Sequence, residues 1–216
     1  MDPGSNLLRL SLQDFTERLA DRTPTPGGGS MAAFLVASGA ALTAMAFRFT
    51  SGEKFKVVEA AMAARVERLA QVRGRALELV DRDSAAYDAV TAAYGLPKGT
   101  DAEKSARVEA VQKGLKGALE VPLETMRAAR EALGLASEGA ADINPNLASD
   151  CATGSWCLWS GAEAAALNVR INAGSIRDEG YARVRLAECD RILSECQALA
   201  ESVRSASGRP RSCPPS

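Results

Sequence analysis

The fold of this chain is decided by the stretch Thr23-Pro24-Thr25-Pro26-Gly27-Gly28-Gly29-Ser30 and by the apolar run 31–47 that follows it. Closely spaced prolines and consecutive glycines do not sustain a helix, so the first stretch is predicted as a non-helical entry. The second has 17 residues and no charge, and is rich in Ala, with Ser, Thr and Gly. That length is only marginal for a membrane span, so we predict a buried helix at the centre of the fold.

Helical patterns flank this central run on both sides. Helices are predicted over residues 11–20, 53–93, 100–136, 147–172 and 177–205. Thr100 and Glu103 form a capping box, and Pro122 is expected to kink or break the helix that contains it. Few aromatic residues (5%), abundant alanine and the lack of a linker predict one all-α domain over residues 6–206, with a disordered tail at 207–216.

Composition and charge exclude several classes of function. The formal net charge of −1 leaves no basic footprint for nucleic acid and no polybasic patch for a membrane surface. No signal peptide is visible, and five cysteines without a CxxC pair indicate reduced thiols, so we expect a cytoplasmic protein. The chain has no histidine, which removes the commonest metal ligand and the usual base of a catalytic triad. We therefore expect acid–base chemistry without a metal, on Asp, Glu, Lys, Tyr or bound water.

Three polar clusters use residue types that are poor choices for packing alone. The first is the glycine run that ends at Ser30, where consecutive backbone N–H groups at a helix start can bind negative charge or a carbonyl oxygen. It is not a Walker phosphate-binding loop, because no Gly-Lys-Ser/Thr follows. A flexible, tight entry to the buried helix is an equally good interpretation.

The second cluster lies on the long helix that follows. Asp83 and Tyr87 are four residues apart and share a helix face, and Lys98 comes beyond the predicted helix end. A carboxylate there can act as a base or bind an amidine-like group, and a solvated charged face is the simpler alternative. Asp83 and Lys98 would be about 20 Å apart along a helix, so they meet only if the loop folds back or if two subunits share the site.

The third cluster surrounds the next predicted helix. Asn144 and Asp150 lie near the turn that precedes it, and Asn168, Arg170 and Asn172 lie near its end. Amides are mediocre helix formers and need hydrogen-bond partners when buried, so the two asparagines on one helix face indicate a polar recognition surface. An interhelical hydrogen-bond network, within one chain or at a dimer interface, is the alternative interpretation.

In this order, the three clusters resemble the formiminotransferase-cyclodeaminase C-terminal family, also called the cyclodeaminase/cyclohydrolase family. The matching stretches are residues 24–30, 83–87, 96–98, 144–150 and 168–172. The similarity extends over about residues 10–205, and residues 94–104 look most like the stand-alone bacterial methenyltetrahydrofolate cyclohydrolases.

The resemblance implies an up-and-down bundle of long helices that dimerises, with a folate site near the dimer interface. It implies hydrolysis of 5,10-methenyl-tetrahydrofolate to 10-formyl-tetrahydrofolate, with the tetrahydrofolate derivative as substrate. Two alternatives stay open: a formimidoyltetrahydrofolate cyclodeaminase that releases ammonia, and a non-catalytic or repurposed homologue that binds a folate-like ligand.

The same resemblance carries site roles to residues of this chain. It implies Asp83 or Asp150 as the catalytic carboxylate, and Lys98 as the proton donor or electrostatic partner, at a site shared across the dimer. Ten residues are expected to bind the substrate or hold the site: Pro26, Gly27, Gly28, Gly29, Ser30, Tyr87, Asn144, Asn168, Arg170 and Asn172.

The chain departs from the family pattern at two places. Relatives commonly have Asn-Leu-Thr after the first buried helix, where this chain has Arg48-Phe49-Thr50. Trp156 and Trp159 stand where relatives usually have small residues. We expect the two tryptophans to be core or interface anchors, and to narrow the substrate pocket if they reach it.

Overall fold

The computed structural model describes residues 6–207, and within that range the regular structure is entirely helical. The six α-helices are α1 (Leu12–Ala20), α2 (Gly28–Arg48), α3 (Lys56–Tyr94), α4 (Asp101–Gly139), α5 (Ala148–Ala173) and α6 (Glu179–Ser207). Short 3-10 turns occur at Leu7–Arg9, Glu53–Phe55 and Pro145–Leu147. The all-α prediction is confirmed. The helix α6 includes Ser207, and the rest of the predicted tail, residues 208–216, lies outside the described residues.

The start of α2 differs from the prediction. The helix begins at Gly28, so the last three residues of the supposedly non-helical stretch form its first turn. Glycine is tolerated there because the N–H groups of the first turn have no acceptor within the helix, so these positions contribute little to its hydrogen bonding. The predicted non-helical entry is therefore limited to the residues before Gly28, and Gly27 is the N-cap.

The helix α2 is the centre of the bundle, and it packs against α3, α4 and α5. Its antiparallel contact with α5 depends on small residues. A Cβ on Gly39 would lie 2.6 Å from the Gly154 carbonyl oxygen, and a Cβ on Gly161 would lie 2.9 Å from the Ala32 carbonyl oxygen. These approaches are too close for any side chain larger than hydrogen. Length and composition alone would allow α2 to cross a membrane, but most of it is enclosed by neighbouring helices, which confirms the predicted buried helix.

The helices α3 and α4 form an antiparallel pair that extends past the N-terminus of α2. Ser30, in the first turn of α2, is level with Asp83 of α3, and α3 continues to Tyr94. The helix α4 returns alongside α3. Two contacts show this: the Arg107 Nε donates to the Tyr94 carbonyl at 3.1 Å, and Gly114 packs on Val90. We call this projecting part, residues 84–114, the arm.

The helix α4 runs through Pro122 without interruption, so of the two predicted outcomes, a kink or a break, the break does not occur. Proline has no N–H, and the carbonyl of the residue four positions earlier, Ala118, loses its helical donor. The Asn172 Nδ2 on α5 donates to that Ala118 carbonyl at 2.8 Å. An amide from a neighbouring helix therefore replaces the hydrogen bond that the proline removes.

This substitution of donors predicts a coupling between Asn172 and Pro122. Asn172→Ala leaves the Ala118 carbonyl unpaired and should lower the free energy of unfolding by about 1–3 kcal/mol. In a Pro122→Ala background residue 122 regains its N–H, and the same Asn172→Ala change should cost clearly less. Urea unfolding of the wild type, both single variants and the double variant measures the coupling. An equal cost in the two backgrounds would contradict this account.

Candidate active site

The first turn of α2 is capped by a side chain from another helix. The N-cap residue Gly27 has no side chain to accept from the free N–H groups of the first turn. The Asp83 carboxylate of α3 takes that role, since it accepts from the Ser30 N–H and lies 3.0 Å from the Ser30 Oγ. The positive end of the α2 macrodipole also favours a carboxylate at this position. A negative group therefore does bind at the glycine run, but it comes from the protein itself.

Gly29 provides the space in which this carboxylate lies. A Cβ on Gly29 would overlap the Asp83 Oδ1, and would lie 2.6 Å from the Cγ and 2.8 Å from the Oδ2. A Cβ on Gly28 would lie 3.7 Å from the Asn168 Nδ2, an ordinary contact distance. The carboxylate thus rests directly on the backbone at Gly29.

The surroundings of Asp83 have two opposing effects on the pKa of its carboxyl group. Burial is the larger influence and raises the pKa of Asp83 above its usual range, while the hydrogen bonds from the Ser30 hydroxyl and N–H lower it. The side chain remains partly exposed. A carboxyl group whose pKa moves toward neutrality, and that solvent can reach, has the properties of a group that exchanges protons with a ligand.

Asn168 of α5 completes the cluster at this end of α2. Its Nδ2 donates to the Ala164 carbonyl of the same helix at 3.0 Å, and it lies next to Gly28. The amide oxygen of Asn168 has no donor among residues 6–207, and so it can accept a hydrogen bond from a bound molecule. Pro26, which precedes the N-cap Gly27, is buried.

An apolar groove on the arm begins one helical turn beyond Asp83. Its volume is about 500 Å³, in the range of small-molecule sites. Its walls are the alanines and glycines of α3 and α4: Ala86, Ala89, Ala92, Ala93, Ala110, Gly114, Gly117 and Ala118, with Leu96 and Lys113 at the edges. Tyr87, on the next turn of α3 after Asp83, is 46% exposed.

Comparison with known proteins identifies the family of this chain. The profile of the formiminotransferase-cyclodeaminase family matches residues 11–191, which include α1 to α5 and every cluster described above. The chain belongs to this family.

Two relatives represent two kinds of family member. The methenyltetrahydrofolate cyclohydrolase of Methylorubrum extorquens is 40% identical over 194 residues, which cover 89% of this chain and 93% of the relative. The formimidoyltransferase-cyclodeaminase of Rattus norvegicus is 31% identical over 202 residues, which cover 93% of this chain but only 37% of the rat protein. The chain therefore matches the cyclohydrolase along nearly its whole length, and the rat protein over about a third of its length.

A solved structure of the same family has the same architecture. The formiminotetrahydrofolate cyclodeaminase of Thermotoga maritima superposes with a TM-score of 0.84 over 93% of this chain and 96% of its own, at 28% identity. The bundle, including the arm, is thus a family fold.

Two of the predicted site residues lie at the opposite end of the bundle from Asp83. The Asn144 N–H donates to the Thr50 Oγ1 at 3.0 Å, and its Nδ2 donates to the Phe49 carbonyl at 3.2 Å, just beyond the C-terminus of α2. Asp150 lies in the first turn of α5, about 27 Å along that helix from Asn168. Asn144 thus ties the loop between α4 and α5 to the end of α2, and Asp150 is not near Asp83.

Lys98 lies in the loop at the tip of the arm. Since α3 is continuous to Tyr94 and Arg107 of α4 is level with that residue, the loop lies beyond the end of α3 and does not fold back. Asp83 and the end of α3 are about 16 Å apart along the helix, so Lys98 does not reach Asp83 of its own chain.

Two further predicted residues have partners of their own. Arg170 pairs with Asp190 of α6 at 3.0 Å, on a face of α5 away from Asn168. Asn172 donates to the Ala118 carbonyl, as described above, which agrees with the alternative interpretation of an interhelical network.

The residues at which the chain departs from its family also lie away from Asp83. Arg48 ends α2 at the far end of that helix. Trp156 is 54% exposed and, with Trp159, lines a shallow depression between α5 and α6. Trp159 packs against the core, as expected of an anchor, and neither tryptophan narrows the space around Asp83.

Sequence reasoning missed the local surroundings of Asp83. Ser84 has its Oγ 3.3 Å from the Ser30 Oγ, and the Val80 carbonyl lies 2.9 Å from the same hydroxyl. The sequence signals neither contact, because each joins residues about 50 positions apart. Among the described residues, no group of three or more acidic or sulfur side chains is arranged to hold a metal ion.

Gly29→Ala should destabilise the protein, and Gly28→Ala should not. The first change displaces Asp83 from the end of α2 and should lower the free energy of unfolding by about 2 kcal/mol, the upper range for a lost helix cap. The second places an alanine in a helix without a clash and should leave stability unchanged or raise it by up to about 1 kcal/mol. Thermal and urea unfolding of both variants provide the test, and equal effects would rule out the proposed role of Gly29.

Proposed function

We propose that this protein hydrolyses 5,10-methenyl-tetrahydrofolate to 10-formyl-tetrahydrofolate. The observation that carries the proposal is the partly exposed Asp83 carboxyl group, which is held at the N-terminus of α2 beside a groove of ligand size. The nearly full-length match to a cyclohydrolase supports the choice of reaction. The tetrahydrofolate derivative is the substrate, and the chain needs no metal for the chemistry.

Asp83 can serve both halves of this hydrolysis. As a carboxylate it takes a proton from water while the water oxygen bonds to the cationic carbon between N5 and N10. The product of that step is a neutral tetrahedral carbon that carries a hydroxyl group. Asp83 then returns the proton to N5, the C–N5 bond breaks, and the hydroxyl group loses its proton as the formyl C=O forms. One substrate cation and one water thus give 10-formyl-tetrahydrofolate and one proton.

The electrostatics of the site suit the substrate. The amidinium-like carbon of the methenyl compound carries a positive charge, which a carboxylate attracts and orients. The pKa of Asp83, raised by burial, suits a group that must accept a proton and then release it within one turnover. The unpaired amide oxygen of Asn168 can accept from an N–H of the pterin ring.

Cyclodeamination is the second candidate, because the rat and Thermotoga maritima relatives carry that activity in their names. In that reaction an acid delivers a proton to departing ammonia while the ring closes to the methenyl compound. The same Asp83 can supply this proton. The first reaction consumes the methenyl chromophore and the second generates it, so the change in this chromophore distinguishes the two candidates.

Offering each folate separately to the pure protein tests the proposal. We expect absorbance of the methenyl chromophore to fall with methenyl-tetrahydrofolate, in the presence of a strong chelator as well as without it. No ammonia should be released from 5-formimino-tetrahydrofolate. Ammonia release without hydrolysis would select the cyclodeaminase. Activity that the chelator abolishes and one specific metal restores would show that the reaction needs a metal. Binding without turnover would identify a non-catalytic homologue.

We also propose that the protein is a cytoplasmic homodimer whose arms pair with each other. The arm groove is apolar and open, and its alanines and glycines allow close approach by a second helix pair. Asp83 and Lys98 lie at its two ends, seven and eight residues from Val90. A two-fold axis near Val90 brings each end of one groove to the opposite end of the partner's groove. In such an isologous contact, residue i of each subunit meets residue j of the other. Lys98 of the partner subunit then lies beside Asp83, opposite in charge to it.

Complementation tests the shared site. Asp83→Asn and Lys98→Ala should each lower kcat by about 100-fold or more, the usual scale for a lost proton-transfer group. A one-to-one mixture after subunit exchange should recover about a quarter of the wild-type activity, because half of the dimers are mixed and one of their two sites keeps both native residues. Two inactive variants that exchange subunits and never complement would contradict a shared site.

The mass of arm variants is the control for that experiment. The wild type should scatter light as twice the 22.6 kDa of one chain. Ala89→Arg places a charge in the groove and should give monomers with low activity, whereas Thr91→Arg, on an exposed position of α3 outside the groove, should leave the dimer intact. A monomeric wild type, or a dimer that Ala89→Arg leaves unchanged, would rule out pairing through the arm.

A further inference from the structure

Asp83 contacts the Ser30 hydroxyl, and substrate binding does not explain this contact. Ser30 is completely buried, so its hydroxyl group is not offered to a ligand. Its Oγ lies 2.9 Å from the Val80 carbonyl, 3.0 Å from the Asp83 Oδ2 and 3.3 Å from the Ser84 Oγ. A hydroxyl group has one proton to donate, so it can serve only one of these acceptors at a time.

The alternatives for that proton correspond to the protonation states of Asp83. A carboxylate can only accept, and the Ser30 hydroxyl then donates to the Oδ2. When the Oδ2 itself carries a proton it donates to the Ser30 Oγ, and the hydroxyl group turns to the Val80 carbonyl. A proton on the Oδ1 leaves the first arrangement unchanged. In the charged state, and in the state with the proton on the Oδ2, each of these O–H groups has an acceptor.

We propose that Ser30 is a positioning residue for Asp83, whose hydroxyl alternates between the Oδ2 and the Val80 carbonyl as Asp83 loses and gains its proton. The inference rests on the proposed function only in giving Asp83 both a base and an acid role. The change is a rotation about the Cβ–Oγ bond, so Asp83 takes up and returns a proton without movement of a heavy atom. It also reassigns Ser30, which the sequence predicts as a substrate ligand.

Within one chain, the charged side chains near Asp83 are bound to other groups, and Lys98 of the partner subunit, proposed above to lie beside Asp83, is the same in every variant compared. Asp81 accepts from the Leu7 N–H at 2.8 Å, and Arg82 is bound by Glu124 on the outer face of α3 and α4. The helix α2 has no charged residue before its last position, and on α5 Arg170 is paired with Asp190. Removal of the Ser30 hydroxyl should therefore act on Asp83 directly.

The test is the titration of the Asp83 carboxyl group by carbon NMR, assigned by the loss of its signal in Asp83→Asn. Ser30→Ala removes a donor to the charged form and should raise the pKa of Asp83 by about one unit, the scale of one hydrogen bond to a charged group. Ser30→Cys fills the same space with a weak donor and should shift it in the same direction. Ser84→Ala is the matched control and should leave the titration unchanged.

Kinetics supply a second readout. In Ser30→Ala the acid limb of kcat/KM should move to higher pH by the same amount. We expect kcat to fall by less than the ~100-fold that loss of a proton-transfer group causes, with KM little changed. Unmoved titrations in both Ser30 variants, or equal shifts in Ser30→Ala and Ser84→Ala, would overturn the proposal. Because the NMR titration needs no substrate, shifted titrations without turnover of either folate would support the role of Ser30 and reject the proposed function.

Discussion

A carboxylate from one helix caps the start of another, and this contact between Asp83 and the first turn of α2 fixes much of the molecule. The turn has glycines at its first positions and therefore no side-chain cap of its own. Asp83 satisfies the Ser30 N–H, and it can do so only because Gly29 leaves room for it. Stability and chemistry depend on the same group, since the contact that completes the helix also holds the carboxyl group, half-buried, at the edge of a groove.

The packing of the other helices fixes the position of this end of α2. Close packing of α2 on α5 through Gly39, Gly154 and Gly161 fixes the distance at which Asn168 lies beside Gly28. The helices α3 and α4 then continue past the end of α2, which leaves their small-residue faces without a third helix from residues 6–207 to cover them. A fold that is tightly closed around α2 is therefore open next to Asp83, where a ligand and a second subunit can approach.

The sequence predicted the helices well because their signals are local. Capping at Thr100, the end of the long helix before Lys98 and the apolar run of α2 each depend on neighbouring residues, and the structure has them all. The misses are contacts between distant segments. Pro122 is tolerated because Asn172 replaces its missing N–H, and the glycine run accommodates Asp83; neither partner can be recognised from spacing along the chain. The separation of Asn144 and Asp150 from Asp83 likewise follows from helix direction, which the residue pattern does not contain.

The central claim is that Asp83 acts directly at the reacting carbon. A crystal structure with an unreactive analogue of methenyl-tetrahydrofolate tests it most directly. The account predicts a water held by the Asp83 carboxyl group at about 2.6–3.2 Å and in contact with the carbon between N5 and N10, with the ligand next to the Asp83 end of the arm groove. A ligand bound instead next to Asn144 and Asp150, with Asp83 still capping α2 and remote from the reacting carbon, would contradict it.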